Sequence, residues 1–129
     1  MRAIDTNLIV RYLTGDHPLE SAQARALIDD NQVFVSATVL LETEWVLRSV
    51  YQFPRPKFSA ALRAFAGLPT VTLENAALAA AALDWLDGGM DFADALHLSK
   101  AGACEDFVTF DRKFARSAKK LGVAKVRTP

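Results

Sequence analysis

A small three-layer α/β/α domain, built on a short, mainly parallel sheet of four or five strands, is the fold this sequence predicts. Three observations carry that expectation. The β-prone runs are short, stretches with helical spacing lie between them, and polar capping residues or glycines punctuate the joins. Short strands alternating with helices indicate βαβ units with right-handed crossovers and a sheet covered on both faces. No internal repeat, low-complexity segment or linker interrupts residues 1–129, so a single domain is expected.

The expected strands are Arg2-Ala3-Ile4, Val33-Phe34-Val35, Val71-Thr72-Leu73, Phe107-Val108-Thr109 and Val123-Ala124-Lys125-Val126. Helical spacing runs from Leu8 to Leu13 after the polar start Thr6-Asn7. It resumes from Leu19 to Ile28, opened by Pro18 and closed by Asp29-Asp30-Asn31. Thr38 to Tyr51 is apolar on most of its circumference, which predicts a buried helix. Pro54-Arg55-Pro56 breaks the chain, and Lys57 to Leu68 is helical again. Asn75 to Leu86 ends at Asp87-Gly88-Gly89. Asp91 to Ala101 and Asp111 to Leu121 follow, with Gly102 and Gly122 just past their ends, where a helix C-terminus prefers glycine.

The chain has 129 residues, 51% apolar and 23% charged, which excludes disordered, fibrous and tandem-domain classes. A chain of this length hides roughly two-thirds of its unfolded surface, enough for a core without disulfides. Cys104 is the single cysteine. It points to a reducing compartment, and it is expected as a small buried apolar group. Arg2 and Asp5 interrupt any secretory leader, and the longest apolar run, Ala76 to Leu83, is too short to cross a bilayer. A soluble, cytoplasmic protein without membrane contact is expected. Lys+Arg and Asp+Glu are both 15, but eight bases and fourteen acids precede Asp111, while seven bases and one acid run from it onward. That asymmetry fits a phosphate-binding face beside an acidic centre, or simply a solvated last helix.

In open α/β sheets, ligands gather beyond the carboxyl ends of strands. Asp5 follows the first strand and Asp111 the fourth, Asp94 lies in the first turn of its helix, and Glu42 is one turn into the helix after the second strand. Four carboxylates are thus expected near one edge. Glu44 competes with Glu42, and its spacing to Arg48 suits a helix-surface ion pair, which tilts the choice without settling it. Crowded carboxylates take up protons or collect a cation. An oxygen-only donor set suits Mg²⁺ or Mn²⁺, ions that support phosphodiester hydrolysis by activating water and neutralising phosphate charge. Thr109, on the same side of an extended strand as Asp111, is placed to hydrogen-bond a metal-bound water or ligand, and Asn7 to orient Asp5 or, equally, to cap a helix.

Structural roles compete at each position. Asp at a helix start caps it and complements its dipole, and Asp91 is set to cap the helix of Asp94. His17 and His97 suit surface or packing roles better than ligation. Rival functional classes are a receiver-like phosphoacceptor module, an aspartate-nucleophile phosphatase, and a binding protein whose acids only cap helices. A receiver needs adjacent acids after the first strand and a central acceptor, whereas Asp5-Thr6-Asn7 stands here. The phosphatase needs a second Asp where Asn7 is.

Ile4-Asp5-Thr6-Asn7-Leu8-Ile9, Ser36-Ala37-Thr38-Val39-Leu40-Leu41-Glu42, Phe92-Ala93-Asp94-Ala95-Leu96-His97-Leu98 and Phe107-Val108-Thr109-Phe110-Asp111-Arg112-Lys113-Phe114 together resemble PIN-domain proteins of the VapC toxin type, over essentially the full chain. The resemblance implies a metal-dependent ribonuclease of a toxin–antitoxin pair, with Asp5, Glu42, Asp94 and Asp111 as its catalytic acids, and it selects Glu42 over Glu44. It implies Asp5, Asp94 and Asp111 as holders of Mg²⁺ or Mn²⁺, with Glu42 ligating or acting as base toward the attacking water. It further implies a homodimer and a small VapB-like antitoxin that inhibits the active site. Trp45, Tyr51, Phe53, Phe58, Leu62 and Phe65 offer apolar surface for such contacts or fill the core. Arg112, Lys113 and Arg116 are the candidate RNA phosphate contacts.

Overall fold

The computed structural model describes residues 1–123 and 125–129, and the chain divides into two compact units, Met1–Ala76 and Ala77–Pro129. In the first unit the strands are β1 (Arg2–Ala3), β2 (Val33–Val35) and β3 (Val71–Leu73), and the helices are α1 (Thr6–Thr14), α2 (Pro18–Asp30), α3 (Ala37–Ser49) and α4 (Arg55–Ala66). The strands form one parallel sheet in the order β1-β2-β3, with Ala3 opposite Phe34 and Phe34 opposite Thr72. Parallel strands cannot be joined by a tight turn, so helices must carry each return. The central strand has Val33 and Val35 buried, as a covered sheet requires.

Local chemistry sets the helix ends. Asp5 caps α1, and Ser36 Oγ accepts from the Val39 N–H (3.2 Å) to start α3. His17 caps α2 by accepting from the Glu20 N–H (3.2 Å), and Pro18 occupies the first turn, where its missing N–H is no loss. Gly15 ends α1 at φ 64°, and a Cβ there would lie 3.0 Å from Arg25 Nη2. The expected break at Pro54-Arg55-Pro56 lies at the start of α4 instead. Pro56 falls in the first turn, so the helix runs from Arg55 rather than Lys57.

The expected all-round burial of the third helix is corrected by the structure. Only one stripe of α3 is buried, Leu40, Thr43, Glu44 and Leu47, while Trp45 is 56% exposed and Val50 also faces solvent. Two polar residues occupy the buried stripe because each is internally satisfied. Thr43 Oγ1 donates to the Val39 carbonyl (2.7 Å), and Glu44 accepts from Arg48 (2.9 Å). Of the aromatic set, Phe58, Leu62 and Phe65 are core residues on one face of α4, and Phe65 packs edge-on against Tyr12 at 5.6 Å. Phe53 is half-buried beneath Lys57.

The second unit contains helices α5 (Ala76–Asp87, its first residue in the preceding unit), α6 (Phe92–Lys100) and α7 (Arg112–Lys120), and strands β4 (Phe107–Val108) and β5 (Val126–Arg127). Its strands pair in parallel, Phe107 with Val126 and Val108 with Arg127. Of the expected run Val123 to Val126, Ala124 lies outside the described residues. The strands thus fall into a three-stranded and a two-stranded sheet, all of them parallel. The unit's core includes Ala82, Leu83, Met90, Phe92, Ala95, Leu98, Phe114 and Ala118. A Cβ at Gly88 would meet the end of the Leu121 side chain, which would have to move aside.

Cys104 is exposed, which corrects its expected burial. It sits in the turn after α6, its N–H donating to the Ala101 carbonyl (3.0 Å), where no element covers its side chain. Among the described residues no helix is long and apolar enough to cross a membrane.

Candidate active site

In the first unit, β1 ends directly before Asp5, whose Oδ1 accepts from the Thr6 N–H (2.7 Å). The N-terminal end of α1 therefore holds this carboxylate in place. Thr6 is buried, and its hydroxyl donates to Glu42 Oε1 on α3, joining the two helices. Asp5, Thr6, Asn7, Val10, Arg11, Glu42, Val46, Val50 and Tyr51 line one open cleft of about 360 Å³. Glu42 and Val46 are four apart on α3 and Val50 follows at its C-cap, so one side of the helix carries an acidic end and an apolar wall. Glu44 lies on the buried stripe instead. Its ion pair with Arg48 forms as expected, yet the acid is buried rather than on the surface.

A hydrogen-bonded network runs outward from Arg11 and Tyr51 of the cleft lining. Arg11 Nη1 donates to the Tyr51 hydroxyl (3.1 Å), which donates to Asp16 Oδ2 (2.6 Å), and Arg11 Nε reaches Glu20 (2.9 Å). Tyr51 and Thr14 hold the Asp16 carboxyl below its usual range, and Asp16 in turn pushes the Tyr51 phenol up. Gln52 follows with φ 51°, a left-handed conformation costly for a residue with a side chain, at the turn that takes the chain out of α3.

In the second unit, Asp91 caps α6 by accepting from the Asp94 N–H (3.2 Å). Asp94 is half-buried in the first turn. Burial first, then the charges of Asp91 and Asp111, push its carboxyl above the usual range, and His97 opposes them. Asp111 caps α7, accepting from the Phe114 N–H (3.1 Å), while its own N–H donates to Thr109 Oγ1 (3.0 Å). Thr109 therefore fixes the backbone of Asp111. Arg112, Lys113 and Arg116 are exposed on α7. Two other bases of the expected basic set have internal partners: Lys125 donates to the Ala101 carbonyl (2.5 Å) and Arg127 to Asp106 (2.7 Å).

The structure thus brings the candidate acids together as pairs, Asp5 with Glu42 in the first unit and Asp94 with Asp111 in the second. Asn7 lines the cleft beside Asp5. Thr6 and the Arg11–Tyr51–Asp16 network escaped sequence reasoning, because hydrogen bonds to residues 35 to 40 positions away leave no local pattern. The one available signal was a hydroxyl residue directly after Asp5. Among the described residues no three His, Cys, Asp or Glu side chains form a complete cation cage. Paired carboxylates nevertheless fit Mg²⁺, which keeps several waters and binds through one or two carboxylates plus substrate phosphates.

Parallel strands with helices leaving their carboxyl ends, and acids at those junctions, are the arrangement in which α/β proteins gather ligands. The chain belongs to the PIN domain family, whose sequence pattern matches residues 3–120 and so covers parts of both units. Its fold class is accordingly the nuclease-type α/β/α one, generally served by divalent metal ions. No curated protein matches the chain.

Proposed function

We propose that the chain is a Mg²⁺- or Mn²⁺-dependent endoribonuclease, the VapC-type toxin of a toxin–antitoxin pair, acting in the cytoplasm as a homodimer held inactive by a small VapB-like antitoxin. The observation that carries this is the PIN-domain pattern over residues 3–120, with Asp5, Asp94 and Asp111 standing at the starts of helices α1, α6 and α7. Asp94, a half-buried carboxylate pressed by Asp91 and Asp111, has a pKa raised against its own ionisation, and a divalent cation relieves that conflict. In the second unit Asp94 and Asp111 are the proposed donors to the ion, and in the first unit Asp5 is the proposed metal-binding acid. When bound, the ion supplies neutralisation of phosphate charge and activation of the attacking water. Glu42, with one oxygen held by Thr6, is the proposed base. Arg112, Lys113 and Arg116 hold the RNA backbone, which gives affinity without base specificity.

End-labelled total RNA, incubated with the purified chain in Mn²⁺, in Mg²⁺ and in EDTA beside Asp5→Asn, tests this directly. Cleavage is expected in either ion and absent from EDTA and from the variant. If the folded protein cuts in neither ion, the proposal fails, and labelling by acetyl phosphate then identifies the receiver-like phosphoacceptor alternative. Thr6→Val keeps the shape of Thr6 but removes the donor to Glu42. Cleavage is expected to fall about tenfold or more, as for other groups that orient a metal-site residue, and unchanged activity would remove Thr6 from the site.

A further inference from the structure

Phe110 is 88% exposed, more than any other large apolar side chain among the described residues. It stands on a turn fixed on both sides. The Thr109 N–H donates to the Arg127 carbonyl (2.9 Å), the Asp111 N–H to Thr109 Oγ1 (3.0 Å), and the Phe114 N–H to Asp111 Oδ1 (3.1 Å). The neighbouring rings of Phe107 and Phe114 are in tilted contact at 5.3 Å. Phe110 contributes next to nothing to the core, yet its backbone is anchored. The helix that starts immediately after Asp111 exposes Arg112, Lys113, Arg116, Lys119 and Lys120. An outward-facing aromatic followed by a cationic helix is the pairing used on unpaired nucleic acid, where bases stack on rings while cations track phosphates. A duplex hides its base faces within its own stack, so the partner chemistry is single-stranded.

We propose that Phe110 is a stacking platform for an unpaired base of single-stranded RNA whose flanking phosphates are held by Arg112, Lys113 and Arg116. This rests on the nuclease function proposed above and adds the contact that positions RNA next to Asp111. The probe is a fluorescein-labelled single-stranded RNA dodecamer. Its affinity is measured by anisotropy in EDTA, and its cleavage is followed at steady state in Mn²⁺. Phe110→Ala is expected to weaken binding about five- to a hundredfold and to raise KM correspondingly, while Phe110→Trp restores both. Since Phe110→Ala removes no charge, the dependence of log affinity on log salt keeps its slope, whereas Lys113→Ala makes it shallower by about one. The melting temperature of Phe110→Ala stays within about 2 °C of the parent, because the ring is exposed.

If the parent and Phe110→Ala cut RNA with the same KM, the stacking platform is overturned and the nuclease stands. If the parent cuts no RNA, the nuclease proposal fails and stacking fails with it. If Phe110→Ala leaves KM alone but changes the sedimentation of the protein, the ring belongs to a protein contact, and the inference is equally overturned.

Discussion

Asp94→Asn is expected to reduce RNA cleavage by about a thousandfold while raising the melting temperature at neutral pH. On the function proposed above, the activity loss follows from removing one carboxylate from the ion, an interaction worth several kcal/mol in the transition state, with tenfold in rate for each 1.36 kcal/mol. The gain in stability has the opposite origin. The folded state raises the Asp94 pKa through burial and the charges of Asp91 and Asp111. Stability linked to its protonation is therefore fully present below the ordinary value of 3.8 and is lost as pH rises through the folded value. Where it is ionised the carboxylate works against the fold, and the neutral amide does not. Thermal melts of parent and variant at neutral pH and below pH 3.8 check the sign, since the difference should close at low pH. Added Mn²⁺ should raise the parent's melting temperature more than the variant's, approaching about 2.7 kcal/mol at a hundredfold excess over Kd. A variant that melts lower at pH 7 would show Asp94 to be stabilised by partners rather than crowded.

Phe65→Ala is expected to cost about 3–5 kcal/mol, the largest purely structural effect of any substitution considered. Phe65 is 2% exposed, lies on the buried stripe of α4 with Phe58 and Leu62, and holds Tyr12 of α1 by an edge-on ring contact. Truncation removes the transfer energy and leaves a cavity that these rigid helices only partly fill. The melting temperature should fall by roughly 10–20 °C for a chain of this size. Chemical denaturation should show a lower midpoint with an unchanged slope, which assigns the loss to the native core rather than to a changed denatured state. A loss below about 1 kcal/mol would mean that the neighbours of Phe65 collapse into the space.

What the sequence could announce was local. Asp91 and Asp111 each cap a helix through a bond to a backbone N–H three residues away, so these two helix starts were legible from short-range chemistry, whereas Asp5, read for its place after a strand, and Ser36, just outside the helix expected from Thr38, also prove to be caps. Strand positions were legible because β-branched runs between such helices are few. The errors concern what covers a residue. Trp45 and Cys104 have apolar side chains that favour burial, but nothing in the sequence says that a neighbour must pack on them. Glu44 has a charge that favours solvent, and its burial depends on Arg48 reaching over it. In the candidate site the same division holds. The acids were legible from their positions after strands, whereas Thr6, which ties α1 to α3, acts through the long-range fold.

The parallel register has a bearing on synthesis. In the first sheet β1 stays unpaired until β2 has been made, and the second edge of β2 stays open until β3 follows, so that sheet closes once Leu73 is available. The turn carrying Asp111 is secured differently, through the Thr109 N–H on the carbonyl of Arg127 further downstream. A ribosome adding about 5–20 residues per second separates those two events by roughly three to ten seconds. Asp5 and Glu42 can thus be in place while the bond that fixes the Asp111 turn has yet to form. The two carboxylate pairs come into existence at different moments in the life of the nascent chain.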